Sequence, residues 1–253
     1  MFLFKKPKVV VDCFINNHTI YNLFKIDHAV KFIPEEWKQL ASHIDIKVSP
    51  DPNSKLTVSA PTAKRCVAIT NQFSTGFVIP MWTDFGIEMF DDGKFVKHDP
   101  MNGLHMDNHP RRLYWDSLYK GYSHIKLYSP WLIREKSGVR FSFNQCDWSN
   151  TDRIADFHIL SGVVDFQAQH GTHINAFQRK GSIVQYKAGD PMIHIMPITE
   201  KELELKCHLL DDVEYKNLYK TYAERSMYSG QHRALLNVRQ DEQSRCPFRI
   251  FGV

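Results

Sequence analysis

The chain has 253 residues, of which 43% are apolar, 13% aromatic and 24% charged. This is a globular composition, long enough to bury a sizeable core without disulfides or metal. Net charge is +4, from 32 basic and 28 acidic residues dispersed along the chain; no concentrated basic face of the kind that neutralises a run of phosphates stands out, so nucleic acid is not an expected partner.

The first residues, MFLFKKPKVVVDCFI, are apolar only in pieces broken by Lys5, Lys6 and Lys8. That is too short and too interrupted for a signal peptide. KVVVDCFI and TIYNLFKI are β-branched or aromatic runs on either side of Asn16-Asn17, and the pattern predicts a hairpin. PEEWKQLA carries Pro34 at a first helical position and two acids behind it, so a short helix is expected. SHIDIKVSPDPNSKLTVSAP, with Pro50, Pro52 and Pro61, reads as turn-rich. TGFVIPMW and DFGIEMF read as strands, closed by an Asp92-Gly93 turn.

Residues 97–112, KHDPMNGLHMDNHPRR, have the composition of an exposed loop. SHIKLYSPWLI, GVRFSFNQC, IADFHILSGVVDFQ, THINAFQ, SIVQYK and PMIHIMPI follow as strand-like runs. Within 162–198 the alternation predicts three consecutive antiparallel strands, with turns near Gly171 or Thr172, near 179–182 and at Gly189-Asp190. The period changes in DDVEYKNLYKTYAERSM, where Val213, Leu218 and Tyr222 fall at helical spacing behind Asp211-Asp212. The expected organisation is an N-terminal hairpin and helix segment (1–54), a β-rich core (55–208) and a C-terminal helical extension (209–253). No run of about 18 apolar residues suggests a membrane span. Cys13, Cys66, Cys146, Cys207 and Cys246 are odd in number and lack a C-x-x-C pair, which fits reduced thiols in a cytosolic setting.

Gly162-Val163-Val164-Asp165, Asn175 and the run Gly189-Asp190-Pro191-Met192-Ile193-His194-Ile195 resemble the core motifs of the dUTPase/dCTP-deaminase family. The resemblance implies a mainly β chain, a jelly-roll or β-clip barrel, and assembly as a trimer. It also implies Asp165 as the catalytic carboxylate, with Asn175 and His194 as ligand contacts. The sequence departs from that family where activity resides. Ala168 stands where a Tyr stacks on the base, Gln169 replaces an Arg, and His194 replaces a phosphate-binding Gln. The tail CPFRIFGV is no Gly-rich arm, and only Ser137-Gly138 echoes the second motif. A working dUTPase is therefore not expected. Over a longer span, KRCVAITNQFSTGFVIPMWTD, HIKLYSPWLI, LSGVVDF and AGDPMIHIMPIT are similar to a protein family carried by tailed, T4-like phages of aquatic bacteria. That implies a viral origin, a place in the host cytoplasm or the virion, and nothing about mechanism.

The residues leave several chemistries open. Asp165 is either a general base or the cap of a tight turn. His170 and His173 point to opposite faces on a regular strand and meet only if Gly171 bends the chain. His105 and Asp107 fit the H-x-D half of an Fe(II) facial triad, with His194 or His208 as the distal ligand, although they sit in the predicted loop. His194 between Met192 and Met196 also reads as a core histidine. Trp82, Trp115, Trp131 and Trp148 read as core anchors. Cys66, beside Lys64 and Arg65, reads as a structural thiol. The leading expectation is a scaffold that binds or assembles, with itself first and then a virion or host protein, and with no cofactor. The alternative is an enzyme: one acting on nucleotides through Asp165, or an Fe(II) oxygenase (or a Zn(II) protein) built on His105 and Asp107.

Overall fold

A computed structural model describes residues 7–48, 55–100, 102–108, 119–149, 153–167 and 171–227. The first half of the chain forms β1 (Lys8–Ile15), α1 (His18–Leu23), β2 (Asp27–His28), α2 (Glu35–Gln39), β3 (His43–Lys47), β4 (Thr57–Pro61), α3 (Val67–Ser74), β5 (Phe77–Pro80), β6 (Phe85–Met89), β7 (Phe95–His98) and β8 (His105–Asn108). The second half adds β9 (Tyr122–Glu135), β10 (Arg140–Gln145), β11 (Phe157–Ile159), β12 (Gly162–Asp165), β13 (Gly171–Arg179), β14 (Ser182–Tyr186), β15 (Pro191–Pro197), β16 (Glu202–Leu209) and α4 (Asp212–Met227). The fold is mainly β, as expected. None of the described sheets closes into a barrel, so the barrel expectation is corrected to open sheets packed on a common core.

The largest sheet runs β11-β13-β9-β1-β16, with β8 also paired to β9. A second runs β12-β10-β15-β5-β2, and a third β14-β6-β7. Their inner faces share one buried cluster containing Val11, Ile133 and Ile174 from the first sheet, Phe77, Phe141 and Ile195 from the second, and Ile87 and Val184 from the third. Period-two alternation explains the arrangement: Val9, Val11, Cys13 and Ile15 of β1 all point inward. Polar groups seal the seams. Gln178 Nε2 on β13 donates to the Ile87 carbonyl at 2.8 Å. Gln145 bridges to β11 through Ile159 N at 2.7 Å and the Phe157 carbonyl at 3.2 Å. Gly76 has φ +81°, and a Cβ there would sit 2.1 Å from the Ile195 carbonyl oxygen, so only glycine lets β5 approach β15 at this point.

Residues 1–54 contribute strands to both large sheets. β1 lies between β9 and β16, antiparallel to the first and parallel to the second, and β2 pairs with β5. The hairpin expected around Asn16-Asn17 is not formed. Asn17 instead caps α1, its side chain accepting from Ile20 N at 3.0 Å, which stabilises a helix start where a turn was predicted. The helix expected after Pro34 is α2. The C-terminal helix is α4. Asp211 Oδ1 accepts from Val213 N and Glu214 N at 2.8 Å each. The Tyr215 hydroxyl donates to the Pro130 carbonyl at 2.7 Å, and burial pushes its phenol up to about 12.

Two further expectations are revised. Residues 97–108 are not an open loop. Asp99 accepts from Leu104 N at 2.7 Å and from Thr83 Oγ1 at 3.3 Å, closing a tight turn that sends β8 back onto β9. In 162–198 the turns fall near 179–182 and 187–190 as expected, but Gly171 and Thr172, where a further turn was expected, belong to strand β13, and β12, β13, β14 and β15 are distributed over three sheets with no two consecutive ones paired. The last exception to the common core is a separate two-stranded sheet, β3-β4. No described helix is long and apolar enough to cross a membrane.

Candidate functional site

The five residues singled out from sequence are dispersed over two sheets. Asp165 ends β12, opposite Arg140, and its Oδ1 accepts from Gln167 N at 2.9 Å. This is the turn cap. His194 on β15 is fully buried, with Nε2 2.7 Å from the Thr75 carbonyl. A carbonyl only accepts, so Nε2 carries the proton. Nδ1 is then a buried acceptor with no hydrogen-bond partner among the described residues. Burial pulls this imidazole below the usual histidine range, against the raising effect of the Thr75 bond.

Asn175, His105 and Asp107 converge on the outer face of the first sheet. Register places His105, Tyr128 and His173 in one row across β8, β9 and β13, and Asp107, Lys126 and Asn175 in the next. Residues in register share a face, so these side chains are neighbours. The Tyr128 hydroxyl donates to Asp107 Oδ2 at 2.6 Å. The Tyr128 ring meets His173 edge-on at 4.9 Å, and Lys126 Nζ lies 5.2 Å from its centroid. His124 Nε2 lies 3.3 Å from Asn175 Oδ1, and its ring stacks on Phe177 at 5.0 Å. Burial pulls the Lys126 ammonium below the usual lysine range, with Asp107 opposing. His124, Tyr128, His173 and Phe177 make further contacts as well.

The H-x-D pair therefore does lie on a strand, contrary to the loop reading. However, no group of three His, Cys, Asp or Glu among the described residues is placed to hold a metal. The distal candidates are engaged elsewhere: His194 with Thr75, and His208 Nε2 with Asp12 Oδ1 at 2.9 Å. His170, Ala168, Gln169, Trp115 and Cys246 lie outside the described residues. Trp82 and Trp131 are core anchors, whereas Trp148 packs in a smaller cluster on the outer face of the second sheet, with Ala29, Val78 and Cys146. Cys66 is exposed, not a buried structural thiol.

The segment read as turn-rich holds the least expected surface. β3 and β4 pair as an antiparallel hairpin, with Ile44 opposite Ala60 and Ile46 opposite Val58. The next pair is Val48 and Leu56, where Val48 N donates to the Leu56 carbonyl at 3.2 Å. One face of this arm is thus wholly apolar, while His43, Asp45, Lys47, Thr57 and Ser59 occupy the other. Ile44, Ile46, Val48, Leu56 and Val58 are 47% to 62% exposed. The signal is present as I-x-I-x-V and L-x-V-x-A, on either side of a stretch rich in Pro, Asp and Asn that lies outside the described residues. The prolines drew the reading toward loop. The base of the arm is clamped. Thr62 N donates to the Ser42 carbonyl at 3.0 Å, Thr62 Oγ1 to the Ala41 carbonyl at 2.5 Å, and Lys64 Nζ to the Lys38 carbonyl at 2.6 Å.

No protein-family model and no curated protein matches this chain.

Proposed function

We propose that this protein is a β-scaffold that works by binding and assembly, and that the apolar face of the β3–β4 arm is the surface through which copies join. The arm carries the reading: five large aliphatic side chains on one face, about half exposed, on a strand pair that no other described residues cover. An isolated two-stranded hairpin is marginal in water, and a contiguous apolar patch on a soluble protein marks an interaction surface. The likeness of residues 162–198 to the dUTPase/dCTP-deaminase core supports a β-clip or jelly-roll relationship and a trimer as the first expectation. The likeness to the tailed-phage family supports a role in the infected host cytoplasm or the virion, with a virion or host protein as a further partner.

Nucleotide hydrolysis is not part of this reading. Asp165 is held by the turn it caps, and Asn175 lies on a different sheet, bonded to His124. The purified protein is expected to release no pyrophosphate from dUTP, and turnover of about 1 per second or faster would overturn that exclusion. The assembly reading is tested by sedimentation at micromolar concentration. The native chain should run as a closed oligomer and Ile46→Asp as a monomer with an unchanged circular dichroism spectrum. A monomeric native chain would remove the reading.

A further inference from the structure

Cys13 and Cys207 are direct neighbours in the parallel ladder between β1 and β16. Among the described cysteines only these two lie on strands. Alternation turns Cys13 inward with Val9, Val11 and Ile15, and it is fully buried. Residues in register share a face, so Cys207 points the same way; it packs against the same core but keeps partial exposure. The two thiols are in hydrogen-bond contact, and Cys207 Sγ lies 3.6 Å from the Ile26 carbonyl oxygen. Adjacent strands run about 4.7–4.9 Å apart, inside the roughly 4.4–6.8 Å between Cα atoms that a disulfide spans. Both Cβ atoms leave the sheet on one side, so closing the bond asks for rotation about side-chain bonds and no change of strand pairing.

We infer that Cys13 and Cys207 form a redox-responsive pair, which a peroxide converts to a disulfide that fastens the edge strand β16 to β1. The surroundings separate their roles. Cys207 is the partly exposed member, and its thiol is lowered by the hydrogen bond from Cys13 and by the charge of Lys25, against its burial. Cys13 is raised by the same contact and by burial. Cys207 is therefore the attacking sulfur and Cys13 the resolving one. The Cys207 thiolate attacks one peroxide oxygen; the O–O bond breaks, and the leaving hydroxide takes up a proton to become water. The sulfenic acid so formed lies against Cys13. The Cys13 sulfur then attacks the Cys207 sulfur, the S–O bond breaks, and the hydroxyl departs with the Cys13 proton as a second water. The two thiols lose two electrons and two protons, and the peroxide becomes two waters. β16 is at the edge of its sheet, with β1 as its partner strand, and it leads into α4. The two cysteines come from opposite ends of the chain, so the link closes a long loop and strongly restricts the unfolded state. It also holds the last strand against local opening.

The test treats the native chain with hydrogen peroxide, blocks the remaining thiols in denaturant, and digests it without reduction for mass spectrometry. The expected product is a linked pair of peptides carrying Cys13 and Cys207, two hydrogens lighter than the separate peptides and parted by dithiothreitol. The oxidised chain should melt about 10 °C higher than the reduced one, and dithiothreitol should abolish the shift. Cys207→Ala should slow the loss of the Cys13 thiol at least about tenfold, and Cys13→Ala should leave Cys207 as a sulfenic acid that dimedone captures. Cys66→Ala should change neither the linked pair nor the shift. Should the Cys13 variant fail to fold, the native chain decides the matter alone. Blocked thiols at both Cys13 and Cys207 after peroxide, or disulfides only through Cys66 or Cys246, would overturn the inference. A linked pair without the melting shift would overturn the fastening of β16.

Discussion

Strand β13 and strand β3 are written in the same alternating pattern and meet opposite fates. Ile174 and Ala176 of β13 are wholly buried, because β6, β9 and β11 surround them with partners. Ile44 and Ile46 of β3 are about half exposed, because among the described residues β3 pairs with β4 alone and no layer covers the pair. Each burial of such a side chain is worth about 1.5–3 kcal/mol relative to exposure. The core strand realises that within the chain and the arm does not. Alternation thus specifies which face is apolar; the tertiary structure decides whether the cover is internal or has to come from outside.

The sharpest contrast is expected from truncation. Trp131 is fully buried and its indole N–H has no partner among the described residues, so its loss removes packing rather than a hydrogen bond. Trp131→Ala should cost about 3–5 kcal/mol in urea unfolding. At a dilution where the chain is monomeric, Ile46→Ala should cost about 0.5 kcal/mol or less by the same measurement. Equal costs would mean that the arm is covered within the chain after all.

A second prediction concerns the buried histidine of the second sheet. His194 is neutral in the folded protein and its burial lowers its affinity for a proton. Below the unfolded value of about 6.5, the unfolded chain takes up a proton that the folded chain refuses, so stability falls as pH drops. Above that value this residue contributes no pH dependence. Between pH 6.5 and 5 the native chain should lose up to about 1.4 kcal/mol per pH unit more than His194→Gln. Equal slopes would place the imidazole in contact with solvent.

The smallest expected effect compares thiols at the two regions. Cys66, at the foot of the arm, is exposed. Cys13 and Cys146 are buried, and their thiols are raised well above the usual range. For Cys13 the thiol contact with Cys207 leads and burial follows; for Cys146 burial leads. Cys207 lies opposite Cys13 in the parallel β1–β16 ladder, and its thiol is lowered by that same contact. Alkylation followed by mass spectrometry should label Cys66 first, Cys207 next, and Cys13 and Cys146 only on unfolding. Early labelling of Cys146 would show the second sheet opening locally.

Much of the local structure was legible. The capped start of α4, the strand runs of β13 and β15 and the Pro34 helix are all short-range features, and each is realised. The same short-range signals misled at Asn17, where a residue suited to turns serves equally well as a helix cap, and at 97–108, where polar residues hide a turn closed by Asp99. The arm could be seen in I-x-I-x-V and L-x-V-x-A, and was obscured by three prolines. The smaller cluster around Trp148 was not legible, since it gathers Ala29, Phe32, Val78 and Cys146, which nothing in the linear order relates.

By itself, then, the sequence determined the mainly β character, most strand positions and the face each strand turns inward, because side-chain alternation is a property of the extended backbone over a few residues. The tertiary structure alone decided which strands pair. It sent β12 to β15 into three sheets, separated Asp165 from Asn175, set Asn175 and Asp107 on either side of Lys126 in one cross-strand row, and left the arm uncovered among the described residues. The physical reason is that pairing and burial depend on which apolar faces remain available once the rest of the chain has packed, and that choice is made between residues far apart in the sequence.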